Sequence, residues 1–467
     1  MSDYVADANG PDAEPLESLD QLVAHVLRGA KPESDWVVGT EVERVGVDAA
    51  TGEAIPFSGP CGVEAVLRGM CEHFGWNPVE EQGRIIGLSR GDADITLEPG
   101  GQIELAGQPF RFLHEGAAEL EAHGAELSAV GETLGIRFLG LGAQPITPLE
   151  AIEWVPKGRY GIMGPYMLKV GTLGQRMMKQ TATVQVNLDF ADEADAIEKM
   201  RVGIGIGPLL NAMLANSPLS GGRENGYLSY RAHVWTDTDA SRCGILPFIF
   251  SEGAGIADYL EWALDAPMYF IKRDGDYLDL AGIPFRQFWQ RGHEGKRATV
   301  GDFALHLSTL FPEVRLKTWL ELRMADGPPP DSLLALSALA KGILYESDCR
   351  LAAWDLVKAW PVEEREALLE TVARGGFAAR AGRHSIGDLA AELLKIAEEG
   401  LRRLDRRDGR AQTEVDFLER TAHRVATRRT AAEEILEIWK LGGERRVADL
   451  VGFAAYPVPD QVRLPAS

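Results

Sequence analysis

Apolar positions recur along this chain with two different periods, and the switches between them sort it into elements. Runs that alternate apolar and polar residues have the period of a half-buried strand. They are WVVGTEVERVGVD (36–48), GRIIGLSRG (83–91), ADITLEPGG (93–101), GQIELAG (101–107), IRFLGLGAQP (136–145), TATVQVNLDF (181–190) and RLKTWLELRMADG (315–327). Helical spacing predicts helices over Ser18–Leu27, Gly62–Phe74, Phe112–Leu134 and Glu193–Ala215. After the GPPPD stretch at 327–331 the pattern becomes helical throughout: Leu333–Leu344, Asp348–Ala359, Val362–Ala373, Ile386–Leu404, Val415–Thr427 and Thr430–Leu441. Strands and helices in no strict strand–helix–strand order argue for an α+β fold with a largely antiparallel sheet. The expected organisation is a flexible acidic N-terminus over 1–17, a catalytic body over 18–327, and a helical C-terminal part over 328–467 packed on it.

Composition narrows the function. The chain has 467 residues, 45% of them hydrophobic and 25% charged, as in an ordinary globular protein. Lys plus Arg number 48 against 70 Asp plus Glu, a net charge of −22. That sign repels phosphate backbones and anionic lipid, so neither nucleic acid nor membrane is an expected partner. The four cysteines (Cys61, Cys71, Cys243, Cys349) form no CxxC pair, which disfavours a zinc ribbon. The N-terminal stretch lacks the basic and apolar regions of a signal peptide. The longest apolar run, 202–214, is interrupted by Pro208 and Asn211 and is too short to span a bilayer. A cytoplasmic protein is expected.

The chemistry lies in the strands. Glu41 and Glu43 are two apart, so both side chains point to one face while Val42 points to the other. A solvent-facing strand would read the same way. Yet the oddity repeats: Glu98 and Glu104 bracket a Pro-Gly-Gly turn, Gln185 and Asn187 share a face of an apolar strand, and Glu321 and Arg323 are again two apart. Like charges on one face repel unless a cation lies between them. Hard divalent cations take oxygen ligands, often completed by phosphate, and a guanidinium matches phosphate as a two-pronged fork. The pattern reads as a metal–nucleotide site on an antiparallel sheet. No Walker A motif is present, and the Gly-rich VGIGIGPLL (202–210) reads as close packing rather than a phosphate loop.

The chain also closely resembles the plant-type and proteobacterial glutamate–cysteine ligases. The resemblance rests on GTEVERVG, IIGLSRG, ITLEPGGQIELAGQP, FLGLGAQP, VPKGRYGIM, TATVQVNLDF, ANSPL, NGYLSYRAHVWTDTD, DAPMYF, FRQF, FPEVRLK and ELRMADG, in order from 36 to 327. It implies a glutamine synthetase-like curved antiparallel sheet with flanking helices. It also implies ATP-dependent ligation of L-glutamate to L-cysteine through γ-glutamyl phosphate, the first step of glutathione synthesis. On that resemblance Glu41, Glu43, Glu98, Glu104, Gln185 and Glu321 look like ligands of Mg²⁺, or of Mn²⁺ in its place. Arg323 looks like the catalytic, phosphate-contacting arginine, and Asn187 lines the nucleotide. Arg231 looks like a substrate carboxylate clamp, and Arg159, Tyr160, Trp235 and Tyr269 shape the amino-acid pockets. Where many relatives carry His-Glu-Lys, this chain has Val42-Glu43-Arg44, with Val42 on the face away from the ligands. Segments where plant relatives carry regulatory cysteines, YLDLAGIPFRQFWQRGHEG and FRFLHEGAAEL, hold none here. His114, His233 and His306 are expected to be structural. A ligase with another amine acceptor, or a non-catalytic relative, would share the fold; the intact carboxylate set argues against the latter.

Overall fold

The structure, a computed structural model, describes residues 13–409 and 413–457. Its centre is a nine-stranded sheet. The strands are β1 (Val38–Asp48), β2 (Asn77–Glu81), β3 (Arg84–Arg90), β4 (Ala93–Leu97), β5 (Ile103–Ala106), β6 (Ile136–Leu139), β7 (Val184–Leu188), β8 (Val314–Leu316) and β9 (Leu320–Leu322). They lie in the order β8-β9-β7-β1-β5-β4-β3-β2, with β6 paired to the far half of β1, and all pairings are antiparallel. Each expected strand run supplies at least one of these strands. The strand β2 lies outside these runs, because its sequence NPVEE is mostly exposed and gives no alternating signal. The run RLKTWLEL belongs to a hairpin, closed where Lys317 N donates to Trp319 O at 2.8 Å.

The alternation has a packing cause. Val42, Leu105, Val184, Val186 and Leu322 face one side and enter the core. Helices cover that side, and Thr40 Oγ1 meets Ser337 Oγ there at 2.8 Å. Between β4 and β5 the chain reverses through Pro99-Gly100-Gly101. Gly101 has φ +86°, a left-handed conformation that glycine adopts without a Cβ clash. Glu98 N donates to Gln102 O at 3.0 Å across the turn, which brings Glu98 back beside Glu104.

The helices that position the site are α1 (Val63–Phe74), α2 (Leu113–Thr133), α3 (Gly158–Val170), α4 (Glu193–Leu214) and α5 (Tyr230–Trp235). Of these, α3 and α5 were not expected. The first contains Gly161, Gly164 and an internal Pro165, and is held by burial of Met163 and Met167 rather than by propensity. After Gly327 come α6 (Ala335–Leu344), α7 (Ser347–Val357), α8 (Val362–Gly375) and α9 (Ile386–Arg407). Leu336, Leu339, Ile343, Leu393 and Leu401 from this part join the same apolar cluster as Val38 and Val42. The Gly-rich stretch is the middle of α4: a Cβ on Gly205 would meet Trp354 at 3.0 Å and Val357 at 3.2 Å, so it serves close packing on α7. Of the segment 1–17, residues 1–12 lie outside the described residues. Leu16 is buried, and its N donates to Ala298 O at 2.9 Å.

Candidate functional site

Strand pairing aligns the polar residues in one row across the sheet. Thr96 stands opposite Glu104, and Glu104 opposite Glu43. Glu41 stands opposite Gln185, Asn187 opposite Glu321, and Glu321 opposite Arg315. Partners in register share a face, so the whole row lies opposite Val42. Glu98 joins it through the glycine turn, and carboxylate oxygens of Glu43, Glu98 and Glu104 lie within 4.8 Å of one another. Glu41 and Glu43 are each only 7% exposed, so β1 is not a solvent-facing strand.

The row is electrostatically divided. At one end are the four carboxylates. Burial raises the Glu43 carboxyl well above its ordinary range, and Glu98 and Glu104 add to the rise. Burial followed by Glu321 and Glu104 raises Glu41. Thr96 Oγ1 donates to Glu104 Oε2 at 2.5 Å, and Thr183 N to Glu43 Oε2 at 3.0 Å. At the other end Arg315, Lys317 and Arg323 converge on Glu321. Burial alone would raise Glu321, yet these three cations hold it well below the carboxylate range. One amide joins the halves, and a second extends the acidic one. Gln185 Nε2 donates to Glu104 Oε1 at 3.2 Å while its Oε1 accepts from Arg323. Asn187 Nδ2 donates to Glu41 Oε1 at 2.9 Å.

Two of the expected ligands, Glu321 and Gln185, are engaged with cations of this row. Both oxygens of Glu321 meet cations, so it anchors the basic half. The acceptor oxygen of Gln185 is likewise turned to Arg323. Arg315 and Lys317 were not singled out from the sequence. Their signal was present: they are two apart in RLK, and a hairpin turning at Lys317–Trp319 sets Arg315 against Glu321.

A cavity opens on this face among Glu43, Glu98, Tyr160, Arg231, Trp235 and Arg323. Tyr160 Oη donates to Leu97 O at 2.7 Å, and the Arg159 guanidinium lies 5.3 Å from the Tyr160 ring centre. Arg231 and Trp235 come from α5, whose first turn is fixed by a buried carboxylate. Asp326 accepts from Ser217 Oγ and Ser229 Oγ, each at 2.7 Å, and Ser229 caps the helix by accepting from Ala232 N. Arg231 donates to Arg323 O at 2.8 Å and Met324 O at 3.1 Å, so it also braces the strand carrying Arg323. Tyr269 does not line this cavity. It is buried beneath Arg242, whose guanidinium lies 4.0 Å from its ring centre, and meets Tyr166 edge-on. Tyr269 is 1% exposed and packs away from the row. The three histidines lie off the row. His306 Nε2 sits 2.9 Å from Ala263 O, His233 Nδ1 sits 2.8 Å from Glu370, and the His114 ring packs on Phe417.

Residues 37–449 match the model of Glutamate-cysteine ligase family 2. The chain is 42% identical over 437 residues to the chloroplastic glutamate–cysteine ligase B of Oryza sativa subsp. japonica, covering 93% of this chain and 86% of that one. It is 44% identical over 430 residues to the chloroplastic glutamate–cysteine ligase of Nicotiana tabacum, covering 91% and 80%. Among solved structures, a glutamate–cysteine ligase from Francisella tularensis in complex with AMP shares the fold, with a TM-score of 0.55 over 92% of this chain and 91% of that one, at 14% identity. The chloroplastic relatives overturn the cytoplasmic placement expected from the sequence. A low cysteine count bears on disulfides and does not fix a compartment. No helix among the described residues is long and apolar enough to cross a membrane. With the profile matched over most of its length and relatives above 40% identity, the chain belongs to glutamate–cysteine ligase family 2.

Proposed function

We propose that this chain joins the γ-carboxylate of L-glutamate to the amine of L-cysteine at the expense of ATP, giving γ-glutamylcysteine in the first step of glutathione synthesis. The observation that supports the reading is the divided sheet face, with four carboxylates at one end and three cations around Glu321 at the other. An amine does not displace an oxide from a carboxylate. Transfer of the terminal phosphoryl of ATP to glutamate turns that oxygen into a leaving group.

The acidic end suits a hard divalent cation: its donors are all oxygen, all but Glu98 are buried, and their mutual repulsion is relieved by positive charge. Glu43, Glu98 and Glu104, with Glu41 beside them, would hold Mg²⁺, or Mn²⁺ in its place, which when bound neutralises triphosphate charge and polarises the transferred phosphoryl. Arg323 contacts that phosphoryl and holds charge developing on it. Glu321 and Gln185 fix the guanidinium in advance, so little reorganisation remains at the moment of transfer. Asn187 sits between the two ends, where the nucleotide passes. Arg231 and Trp235 form the far wall for the amino-acid substrate, and Arg159 and Tyr160 a side wall. All these residues precede 328, which supports a catalytic body over 18–327 with the described helices after 328 packed on it.

Incubation with ATP, L-glutamate and each of several amines, followed by mass spectrometry, tests the reading. The expected products are γ-glutamylcysteine, ADP and phosphate. AMP and pyrophosphate would rule out the acyl phosphate, and preference for another amine would move the chain to a different acceptor.

A further inference from the structure

A second, smaller cavity adjoins the first and shares Arg231, Trp235, Phe311 and Arg323 with it. Its remaining polar walls are Asn211 from α4 and Glu313 from the segment before β8. It offers about 20 Å³, room for one small polar group and too little for an amino acid. Four of its wall residues carry a buried atom with no partner in the protein: Asn211 Oδ1, Glu313 Oε2, Arg231 Nε and Trp235 Nε1. Asn211 is 4% exposed and Arg231 2%. Leaving such an atom buried without a partner is costly, so four around one cavity point to a ligand.

The chemistry of the four atoms describes that ligand. Two are acceptors, one of them anionic, and suit an ammonium. Two are donors, one of them cationic, and suit a carboxylate. An ammonium and a carboxylate a bond or two apart are the head of an α-amino acid. Both candidate substrates have such a head, but the reaction separates them. The amine of cysteine must attack the acyl carbon in the main cavity, so it cannot be held here. The α-ammonium of glutamate takes no part in bond making and lies at the opposite end of the molecule from the γ-carboxylate. With that γ-carboxylate beside Glu43 and Glu98, the head of glutamate extends along the shared wall toward Glu313.

We propose that Glu313 and Asn211 bind the α-ammonium of the glutamate substrate and so select an α-amino acid over a plain dicarboxylic acid, with Arg231 and Trp235 on its α-carboxylate. The proposal rests on the ligase reading. Burial raises the Glu313 carboxyl, opposed by Arg231 and Arg323; a facing ammonium would relieve that desolvation. Removing one charge-assisted contact of this kind weakens binding about 10- to 100-fold.

The test is steady-state kinetics of Glu313→Gln with glutarate, which lacks the amine, as a competitive inhibitor against glutamate. The expected result is a KM for L-glutamate raised about 10- to 100-fold, with the KM for cysteine and for ATP and the inhibition constant of glutarate unchanged. Glu313→Asp, which keeps the charge, should retain more of the discrimination. An unchanged KM for glutamate, or a glutarate constant that rises in parallel, would overturn the proposal, the second by showing a merely structural role. Wild-type protein that forms no γ-glutamylcysteine would instead refute the ligase reading on which it rests.

Discussion

Arg315 Nη2 lies 2.6 Å from one carboxylate oxygen of Glu321 and 2.8 Å from the other, across a pairing of three-residue strands. Both residues are almost wholly buried. The pair fixes Glu321, and Glu321 in turn holds Arg323 on the cavity wall. Replacing Arg315 with Met should destabilise the protein by about 3–5 kcal/mol, because it strips a partner from a buried charge. Turnover should fall as well. The double variant Arg315→Met, Glu321→Met should recover stability in urea unfolding but not activity. If activity returned with stability, the pair would be structural only.

Burial, and after it the neighbouring Glu98 and Glu104, raise the Glu43 carboxyl. Glu43→Gln should cut turnover by orders of magnitude and leave the metal-free fold as stable as before, or more so. Mg²⁺ should raise the melting temperature of the wild type but not of the variant. An equal rise in both would take Glu43 out of the metal set.

His306 is buried against Phe285 and Phe303, and its pKa is lowered to about 3 by burial, with Arg242 adding to the fall and the bond to Ala263 O opposing it. Unfolded, it takes a proton near pH ~6.5. The stability it contributes is therefore complete above that pH and is lost as pH falls toward 3, at up to about 1.4 kcal/mol per pH unit. His306→Gln should flatten the acid limb of urea midpoints measured across this window. A limb of unchanged slope would assign acid unfolding to other groups; His123 is lowered in the same direction, mainly by burial.

Gly205 leaves α4 no room for a side chain where it meets Trp354 and Val357. Gly205→Val should cost about 1–3 kcal/mol by overpacking while the KM for ATP stays as it was. A raised KM for ATP with stability intact would make the Gly-rich stretch a phosphate loop after all.

The four cysteines are free, with Cys61 exposed and Cys349 buried. Burial raises the Cys71 and Cys349 thiols and pushes Cys243 up to about 12, so little reactive thiolate forms at neutral pH. Activity should be the same after oxidation and after dithiothreitol treatment. A several-fold rise on oxidation, with a disulfide mapped by mass spectrometry, would show a redox switch.

The sequence by itself determined which residues share a face. Glu41 with Glu43, Gln185 with Asn187 and Glu321 with Arg323 follow from the two-residue period of a strand, and the Pro-Gly-Gly turn returns Glu98 toward Glu104. Its motifs also pointed to the family. Tertiary structure decided who meets whom across strands. Gln185 bridges Glu104 and Arg323, Glu321 is claimed by Arg315 and Lys317, Tyr269 is turned into the core, and Glu313 comes beside Asn211. A strand period fixes a side chain's direction, whereas register and burial come from hydrogen bonds and packing between segments far apart in the chain. The same reason explains α3 and α5. Local propensity in GRYGIMGPYM and YRAHVW is weak, and these segments are helical because Met163, Met167, Arg231 and Val234 are buried by neighbours that no local pattern names.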